Sequence, residues 1–537
     1  MSERKLSHWG WGWADKFPST DARKQLGTQL GAMLGIAPSG PTDPVALDDV
    51  SLHDARVSAP DSVPCVTDDR EERIRHTYGR AFGDVVRGFA GDFAAAPDLV
   101  AHPTTEEEVG HVLDWAQGAK VAVVPYGGGT SVVRGVECAL PEGFAGTLSL
   151  DLRRLDRVLE VEPTSRTARI QAGASGPRLE EQLKEHGMTL RCFPQSFEHS
   201  TLGGWIATRA GGHFATNYTH IDDLTASIRA LTPAGVKEGQ VWQSRRLPGS
   251  GAGPSPDRMM LGSEGTLGVI TEAWMRVRPR PRFRASASVK FADYSKAVDA
   301  CRAVAQSGLF PSNCRLLDAR EAKLNMVATD GSSVLVLAFE SADHPLEAWM
   351  ERALELARDH GGVAGEPTYS DSGSKTGESG AAGSWKNAFI EMPYLQNVMV
   401  SLGVIADTFE TAIPWDRFEE LHSALVTNVR GAMKEVCGSP CHLSCRFTHV
   451  YPDGPAPYYT FIAKARPGAE LEQWAAIKKA ASDTLIAHGA TITHHHAVGR
   501  THAPWYREQR PTEMGNALRA LKGALDPEGI LNPGALI

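Results

Sequence analysis

The chain has 537 residues, of which 42% are hydrophobic and 22% charged, so it has enough apolar material for two or three domains. Its net charge of −9 and the absence of a basic stripe argue against nucleic acid as a partner. The sequence starts without an apolar segment of signal-peptide length and has no run of about 18 apolar residues, so we expect a cytoplasmic protein.

The eight cysteines are too few and too scattered for a disulfide framework. Cys437, Cys441 and Cys445 follow one another at four-residue spacing, but Gly438 and Pro440 interrupt the run. Zinc and iron–sulfur signatures use tighter pairs. We therefore predict no metal, and we interpret these cysteines as small apolar residues on the way into a strand.

Residues 1–90 show no sustained periodicity, which favours short helices packed on a larger body. A clearer pattern begins at about residue 91. Thr104 and Thr105 are each followed three residues later by a glutamate, which predicts a capping box and a helix through Trp115. Further elements up to residue 280 are predicted at 121–126, 147–152, 157–163, 167–173 and 269–279 for strands and at 177–187 for a helix. This mixture predicts an α+β domain and not a regular βαβ series.

From about residue 285 the order strand, helix, strand occurs two times in succession. Strands are predicted at 286–291, near Arg315 and at 333–339, and helices at 294–306 and 345–361. This order is typical of a second α+β domain, with helices on one face of an antiparallel sheet. Residues 367–384 are rich in Ser and Gly and are predicted to form a loop.

The strand that ends at Tyr126 continues directly into 127-GGGTSVVRG-135. Three consecutive glycines allow positive φ and can direct successive N–H groups into one concavity, which suits a diphosphate. A plain tight turn explains this segment about as well. No G-x-G-x-x-G opens a helix, so the Rossmann mode of holding a dinucleotide is excluded.

Two further glycine-rich segments, 194-PQSFEHSTLGGWIATRAGG-212 and 262-GSEGTLGVIT-271, could each be a simple loop. Three such segments in this order, however, resemble the FAD domain of vanillyl-alcohol-oxidase-type flavoproteins. With 410-ETAIPWDR-417 and 494-HHHAVG-499, nearly the whole chain resembles the alkyl-dihydroxyacetone-phosphate synthases. The resemblance implies an α+β fold with a two-part FAD domain at 91–280, an α+β cap at 285–480 and a C-terminal segment, 481–537, that completes the active site.

The resemblance also implies which residues contact FAD. They are Pro125, Tyr126, Gly127, Gly128, Gly129, Thr130, Ser131, Gln195, Ser200, Thr201, Gly204, Thr208, Arg209, Ala210, Gly211, Glu264, Gly265, Thr266, Leu267, Gly268, Val269 and Ile270. Many relatives attach FAD covalently through a histidine in the first glycine loop. Since this loop has neither histidine nor cysteine, we expect noncovalent FAD.

Candidate catalytic groups are His494, His495 and His496, because histidine is the usual general acid or base near neutral pH. By its residues alone, a histidine run is as well explained by a polar surface or a metal site. The resemblance places this motif beside the flavin and assigns an acid/base tyrosine to Tyr458, with Tyr459 as the alternative if the alignment slips by one residue. Tyr458 could otherwise be an ordinary core residue.

The resemblance assigns a functional arginine to Arg315, which could otherwise form a surface salt bridge. Arg446 lies in a matching stretch as a candidate substrate contact. Gln396 stands where the synthases have a substrate-binding arginine, so the phosphorylated substrate is in doubt.

The resemblance implies exchange of the acyl group of acyl-dihydroxyacetone phosphate for a fatty alcohol, in ether-lipid synthesis. The alternatives are FAD-dependent oxidation of a hydroxy acid or alcohol, and a flavoprotein scaffold without activity. We expect a small-molecule or lipid substrate, a homodimer and, for a lipid substrate, peripheral contact with a membrane.

Overall fold

A computed structural model describes residues 4–214, 216, 219–371 and 393–537. The predicted loop at 367–384 lies mostly outside these residues. Its described part contains the short strand Thr368–Ser370, so the loop prediction is wrong there. Within the described residues the fold is α+β, as predicted, with three main sheets.

The first sheet contains three parallel strands and one antiparallel edge strand. Its strands, in spatial order, are Val66–Thr67, Leu99–Ala101, Gly146–Asp151 and Val121–Tyr126. The helix Glu106–Ala119 packs on this sheet and begins after Thr105, whose side chain accepts a hydrogen bond from the N–H of Glu108. The Glu108 carboxylate accepts one from the N–H of Thr104, the residue before the cap. The predicted helix start and the Thr105 cap are therefore confirmed, and the second bond of the predicted capping box is shifted by one residue.

The second sheet is antiparallel throughout. Its strands, in spatial order, are Val158–Glu162, Thr167–Gln171, Val269–Arg276, Thr225–Leu231 and Trp242–Gln243. The three predicted strands of this region are found, and the strand Thr225–Leu231 was missed. A small ribbon joins Met188–Thr189 to Arg278–Pro279.

The third sheet, called the cap sheet below, is also antiparallel. Its main strands, in spatial order, are Val363–Ala364, Phe283–Phe291, Ser333–Ser341, Asn313–Leu317, Cys441–Val450, Pro455–Lys464 and Val404–Glu410, and Thr368–Ser370 pairs with the second of them. Long helices cover one face of this sheet, as predicted. They are Tyr294–Gln306, Glu347–Asp359, Trp415–Cys437 and Glu470–Ala487.

The covered face forms a large apolar core. Side chains alternate between the two faces of a strand, so Leu443, Cys445 and Phe447 enter this core while Ser444, Arg446 and Thr448 point to the other side. Cys437 ends a helix and Cys441 begins a strand, in agreement with their interpretation as residues leading into a strand. The opposite face of the cap sheet, on which the short helix Ala319–Leu324 packs, contributes to the cavity described below.

Further helices lie around the three sheets. They are Thr20–Leu34, Arg70–Arg75, Phe82–Phe89, Gly176–Glu185, Leu202–Thr208, Ile221–Leu224, Pro233–Glu238, Pro256–Met260, Ala319–Leu324, Ala503–Gln509 and Thr512–Leu525, with single 3₁₀ turns at Ala14–Lys16 and Leu47–Asp49. In the described parts of the chain, no helix combines the length and the apolar composition needed to cross a bilayer.

The end of the chain returns to the first sheet. The N–H of Val123 donates to the carbonyl of Ile530 at 2.7 Å, and the Val123 carbonyl accepts from the N–H of Asn532 at 2.8 Å. Ile530 and Leu531 are fully buried in the core of this sheet. The C-terminal residues are therefore part of the domain that is formed mainly by the first half of the sequence.

Candidate active site

A cavity of about 770 Å³ is lined by residues of the first half of the chain, of the cap sheet and of the C-terminal segment. This volume is in the range of pockets that hold cofactors and small ligands. The charged residues in its lining are Lys16, Arg80, Glu264, Arg315, Asp407 and Arg446. Cations therefore outnumber carboxylates around the cavity, which suits anionic ligands.

Residues 127–131, called the glycine loop below, pack against residues 199–201 without room for side chains. A Cβ on Gly127 would collide with Thr201 Oγ1, and a Cβ on Gly128 would collide with the carbonyl of His199. Only Gly129 of the three glycines has positive φ, at 63°. The bare backbone of the loop lines the cavity and fits a diphosphate.

The hydroxyl of Thr201 gives a second indication of a ligand. Its Oγ1 atom is buried and finds no hydrogen-bond partner among the described residues, although Thr201 lines the cavity. Buried polar atoms in proteins are nearly always hydrogen-bonded, so this one indicates a partner that the chain itself does not supply.

Arg80 is a cavity residue that the sequence analysis missed. Its backbone N–H donates to the carbonyl of Ser131 at 2.6 Å, and its guanidinium donates to the carbonyl of Gly79 at 2.7 Å. Among the described residues no carboxylate forms an ion pair with it, and burial lowers its pKa. A cation in this position beside the glycine loop suits the negative charge of a diphosphate.

Glu264 connects three distant parts of the chain at the cavity. Its carboxylate accepts hydrogen bonds from the N–H groups of Val498 at 2.8 Å and Gly499 at 2.7 Å. Its carbonyl accepts one from the side-chain amide of Asn532 at 2.8 Å. Burial raises the pKa of Glu264 to about 7, although these hydrogen bonds oppose the shift.

Most of the residues predicted to contact FAD line the cavity. They are Pro125, Tyr126, Gly127, Gly128, Gly129, Thr130, Ser131, Gln195, Ser200, Thr201, Gly204, Thr208, Ala210, Gly211, Glu264, Gly265, Gly268 and Ile270. Four lie away from its lining: Arg209, Thr266, Leu267 and Val269. Arg209 pairs with Asp222 at 2.8 Å, and its side chain is half exposed. The other three are buried in the protein interior, because neighbouring residues of an extended segment point in different directions.

Tyr458 and Tyr459 point to opposite faces of the cap sheet. Tyr458 lines the cavity, and its hydroxyl shares a hydrogen bond of 2.9 Å with Thr408 Oγ1. Tyr459 is fully buried in the helix-covered core, where its hydroxyl lies 2.9 Å from His422 Nδ1. Burial raises the pKa of Tyr458 to about 12, against the opposing effect of Arg446. Tyr458 is therefore a neutral hydroxyl, able to donate a proton, near pH 7.

Glu410 organises residues 494–496, called the histidine loop below. The backbone N–H groups of His494, His495 and His496 donate to its buried carboxylate at 2.7, 3.2 and 3.1 Å, and the Thr493 hydroxyl donates at 2.5 Å. Burial favours a higher pKa for Glu410, but His495, whose Nδ1 atom lies 3.3 Å from the carboxylate, holds its pKa well below the ordinary value. The sequence analysis included Glu410 in a motif without giving it a role.

The structure separates the three consecutive histidines. His495 and His496 line the cavity, whereas His494 lies behind them. The His495 ring lies 5.9 Å from the ring of Tyr458, centre to centre and nearly parallel to it. Burial lowers the pKa of His496 to about 3, although Glu410 opposes this shift, so His496 is a neutral imidazole.

His494 is the centre of a group of imidazoles, which we call the imidazole array: His220, His494 and His495. Its Nδ1 atom lies 3.0 Å from His495 Nδ1, and its Nε2 atom lies 3.0 Å from His220 Nε2. The Tyr451 hydroxyl lies 2.7 Å from the same Nε2 atom. Burial, and then the neighbouring His220 and His495, lower the pKa of His494 well below its ordinary value.

His449 lies next to the imidazole array and lines the cavity. Its Nε2 atom donates to the carbonyl of Gly212 at 2.8 Å. Nitrogens of His449, His494 and His495 lie within 4.8 Å of one another, but both ring nitrogens of His494 are already hydrogen-bonded. A metal ion would have to replace these bonds, and the expectation that no metal is bound stays a prediction.

Two buried arginines lie on adjacent strands of the cap sheet and line the cavity. Arg315 donates to the carbonyl of His213 at 3.1 Å, and Arg446 forms a buried ion pair of 2.5 Å with Glu321. Burial, and then the charge of Arg446, lower the pKa of Arg315 to about 9. Arg315 therefore brings a positive charge with planar donors to the cavity, as recognition of a phosphate requires.

Gln396 also lines the cavity, where its Oε1 atom accepts a hydrogen bond of 2.7 Å from the indole N–H of Trp11. Near it the lining becomes apolar. The side chains concerned pack in one cluster, called the apolar arm below: Leu26, Leu30, Leu324, Val398, Met399 and Ile462. The cavity thus has a polar end at the cap-sheet arginines and an apolar region between the first long helix and the residues around 398.

Comparison with known proteins identifies both halves of this architecture. A model described as FAD binding domain matches residues 97–237, and a model described as FAD linked oxidases, C-terminal domain, matches residues 280–536. The chain is 32% identical to the alkyldihydroxyacetonephosphate synthase of Dictyostelium discoideum over 486 residues, which cover 88% of this chain and 78% of the relative.

Solved structures give the same result. An alkyldihydroxyacetonephosphate synthase structure superposes with a TM-score of 0.80 at 26% identity, and the match covers 98% of both chains. The 4-ethylphenol oxidase of Gulosibacter chungangensis superposes with a TM-score of 0.61 at 16% identity, covering 82% of this chain and 89% of that one. The second match shows the shared fold alone.

Proposed function

This chain belongs to the alkyldihydroxyacetonephosphate synthase family of FAD-dependent enzymes, and from that membership we propose that it exchanges the acyl group of an acyl-dihydroxyacetone phosphate for a long-chain alcohol. The observation that carries the proposal is the composition of the cavity. One cavity contains a buried arginine pair, a proton-handling group and the apolar arm. These three features correspond to the phosphate, the reacting carbon and the chains of such substrates.

The residues that would hold FAD are the glycine loop, residues 199–204 and the segment around Glu264. The loop backbone and Arg80 are placed to bind the diphosphate, by hydrogen bonds and by charge. When bound, FAD supplies the reactive centre that permits the exchange without net oxidation of the substrate. The lining of the glycine loop offers no histidine or cysteine for a covalent bond, which supports the proposal of noncovalent FAD.

Proton transfer would be performed by the side chains opposite the glycine-rich segments. We assign His495 as the base that takes the proton of the alcohol, because its ring lines the cavity and its loop is fixed by Glu410. Tyr458 is the matching donor, since it is neutral and its hydroxyl is held by Thr408. His496 completes the lining as a neutral imidazole.

Substrate binding would divide between the two ends of the cavity. Arg315 binds the phosphate, while Arg446 is balanced by Glu321 and supports the ring of Tyr458 from 4.0 Å. The apolar arm takes the acyl or alkyl chain, which gains free energy by leaving water. Gln396 can hydrogen-bond to the substrate, but it adds no charge.

The proposal is tested by incubating the purified yellow protein with palmitoyl-dihydroxyacetone phosphate and radiolabelled hexadecanol, in the absence of oxygen. We expect label in a product that resists alkaline ester hydrolysis, one fatty acid released per ether formed, and an oxidised flavin at the end. Lasting bleaching of the flavin by a hydroxy acid or alcohol, with no ether product, would instead establish the alternative, an FAD-dependent oxidase or dehydrogenase.

We also propose a homodimer, a cytoplasmic location and peripheral contact with a membrane. The membrane contact is supported by Met326 and Leu395, which line the cavity although 67% and 44% of their surfaces are exposed. Apolar side chains at the edge of a cavity suit a substrate that arrives from a lipid surface. Sedimentation with liposomes, light scattering and cell fractionation test the three proposals separately.

A further inference from the structure

The hydrogen bonds around the imidazole array determine which ring nitrogens carry protons. His220 Nδ1 lies 3.0 Å from the carbonyl of Arg209, and a carbonyl only accepts, so this nitrogen carries the proton. Burial lowers the pKa of His220, so its ring is neutral and its Nε2 atom is an acceptor. The nitrogen 3.0 Å away, His494 Nε2, must then be the donor.

The tautomer of His494 in turn determines which nitrogen of His495 carries a proton. Since the neutral ring of His494 carries its proton on Nε2, its Nδ1 atom accepts, and His495 Nδ1 at 3.0 Å must donate. The Glu410 carboxylate, whose Oε2 atom lies 3.3 Å from the same His495 nitrogen, can also only accept, so both neighbours favour a proton on Nδ1. In the neutral ring, Nε2 then carries the lone pair. The array thus consists of three imidazoles that all donate in one direction, outward from the cavity.

The outer end of the array reaches the surface. His220 is half-buried, and its hydrogen bond to the backbone carbonyl of Arg209 is exposed to solvent. The inner end, His495, lines the cavity, whereas His494 does not. His494 therefore bridges a group that can meet the substrate and a group that can meet water.

The proposed reaction requires such a route, and the present inference rests on that proposed function. The exchange breaks the bond between the substrate carbon and the acyl oxygen, and it forms a bond between that carbon and the alcohol oxygen. The alcohol loses its hydroxyl proton, and the fatty acid leaves as a carboxylate at neutral pH, because carboxyl pKa values lie near about 4. A proton that Tyr458 lends to the acyl oxygen returns to Tyr458 as the acid ionises, so one proton per turnover must leave the buried cavity.

We propose that His495, His494 and His220 form a proton relay that carries this proton from the cavity to solvent. His495 Nε2 takes the proton and releases the one on Nδ1 to His494 Nδ1. His494 then releases the proton on Nε2 to His220 Nε2, and His220 gives up its Nδ1 proton at the surface. Each ring gains one proton and loses one, which moves its proton to the other ring nitrogen, and rotation of the rings restores the starting tautomers before the next turnover. His220 acts through the other two and is a positioning residue for the exit of the proton.

The relay is tested first with His220→Gln, because glutamine can still donate to the Arg209 carbonyl but cannot pass a proton on. In dilute buffer we expect kcat for ether formation to fall about tenfold with KM unchanged, which is less than the loss of about 10² to 10⁴ for a group that exchanges a proton with the substrate itself. Added imidazole should restore kcat in a saturable manner. The wild-type enzyme should not respond to imidazole.

Tyr451→Phe is the matched control. It removes the other hydrogen-bond partner of His494 Nε2 and leaves all three imidazoles in place. We expect kcat within about twofold of wild type, since no proton-transfer group is lost, and no response to imidazole. If His220 and Tyr451 only stabilise the structure around His494, His220→Gln and Tyr451→Phe lose activity alike, and imidazole restores neither variant. That result, or an unchanged kcat in His220→Gln, overturns the relay.

A second measurement does not depend on turnover. Ring-¹⁵N spectra of histidine-labelled holoenzyme, assigned with single histidine variants, should show the proton on Nδ1 in His220 and His495 and on Nε2 in His494. Other tautomers, or stoichiometric metal bound to these rings, overturn the relay. A wild-type enzyme that forms no ether refutes the proposed function alone, and the ring spectra then decide the relay by themselves.

Discussion

At the scale of single residues, the adjacent tyrosines of the cap sheet provide the most direct test of the site. Tyr458→Phe removes a hydroxyl that faces the cavity, so kcat should fall by about 10² to 10⁴ while FAD and the fold are retained. Tyr459→Phe removes a hydroxyl hydrogen-bonded to His422 in the core, so it should lower the free energy of unfolding by about 1–3 kcal/mol and leave kcat near normal. Rates of ether formation, flavin absorbance and urea titrations give the three readings.

A near-normal kcat in Tyr458→Phe together with a low kcat in Tyr459→Phe would show that Tyr459, and not Tyr458, is the catalytic tyrosine. A normal kcat in both variants would remove the tyrosine from the mechanism and leave proton transfer to His495 and His496. If Tyr458 and His496 act as one unit, the variant lacking both should be little worse than the poorer single variant.

Gln396 tests how the phosphate is recognised. Gln396→Arg adds a charged donor to the cavity lining near the first helix, at the cost of the hydrogen bond from Trp11. Because a charged hydrogen bond contributes about 1.5–3 kcal/mol, KM for a phosphorylated substrate should fall roughly tenfold or more. Gln396→Lys should have a smaller effect, since lysine lacks the planar pair of donors. An equal change with the dephosphorylated substrate would contradict a role in recognising charge.

At the scale of elements, the glycine loop and residues 199–201 form a single unit. Gly128→Val should separate them, because the added side chain collides with the carbonyl of His199. We expect the purified variant to retain little FAD, measured as the flavin-to-protein absorbance ratio after gel filtration. Gly249→Val is the control, as a Cβ there has no heavy atom within 4 Å. Full flavin content in a folded Gly128→Val protein would exclude the loop from cofactor binding.

The sequence predicted the elements better than their contacts. The strand Val121–Tyr126 and the helix Tyr294–Gln306 have the predicted bounds, because hydrophobic periodicity and capping are local signals. Arg80, Glu264 and Glu410 obtain their partners from distant segments, so no local pattern identifies their roles. The glycine at positive φ is likewise determined by packing, because all three glycines of the loop permit it and only Gly129 adopts it.

At the scale of the whole molecule, bound FAD should be recoverable intact. Because the glycine loop has neither histidine nor cysteine, heat or acid denaturation should release yellow cofactor into the supernatant. Free FAD should also raise the Tm of the protein from which it has been removed, as any ligand that binds only the folded state does. Flavin that remains with the precipitated polypeptide would show a covalent bond to another residue.

The buried histidines make the folded protein sensitive to acid. The pKa of His496 is lowered from 6.5 to about 3, so the unfolded chain binds a proton in this range and the folded chain does not. The contribution of His496 to the free energy of unfolding is therefore fully present above pH 6.5. It decreases as the pH falls toward 3, by up to about 1.4 kcal/mol per pH unit for each such histidine. His449 and His494 shift in the same direction.

Urea titrations between pH 7 and pH 4 measure this effect. Replacing His496 by glutamine should reduce the slope of unfolding free energy against pH, whereas replacing His111, which is largely exposed, should not. If the wild type and both variants show the same slope of unfolding free energy against pH, His496 titrates alike in the folded and unfolded chains.

The pairing of Val123 with Ile530 and Asn532 has a consequence for biosynthesis. During translation, the strand that carries the glycine loop leaves the ribosome hundreds of residues before the segment that completes its sheet. The histidine loop and the partners of Glu264 also arrive late. A nascent chain therefore cannot enclose the cofactor until synthesis has ended, so FAD should be captured after release from the ribosome. Ribosome-bound chains stalled before residue 494 should carry no flavin.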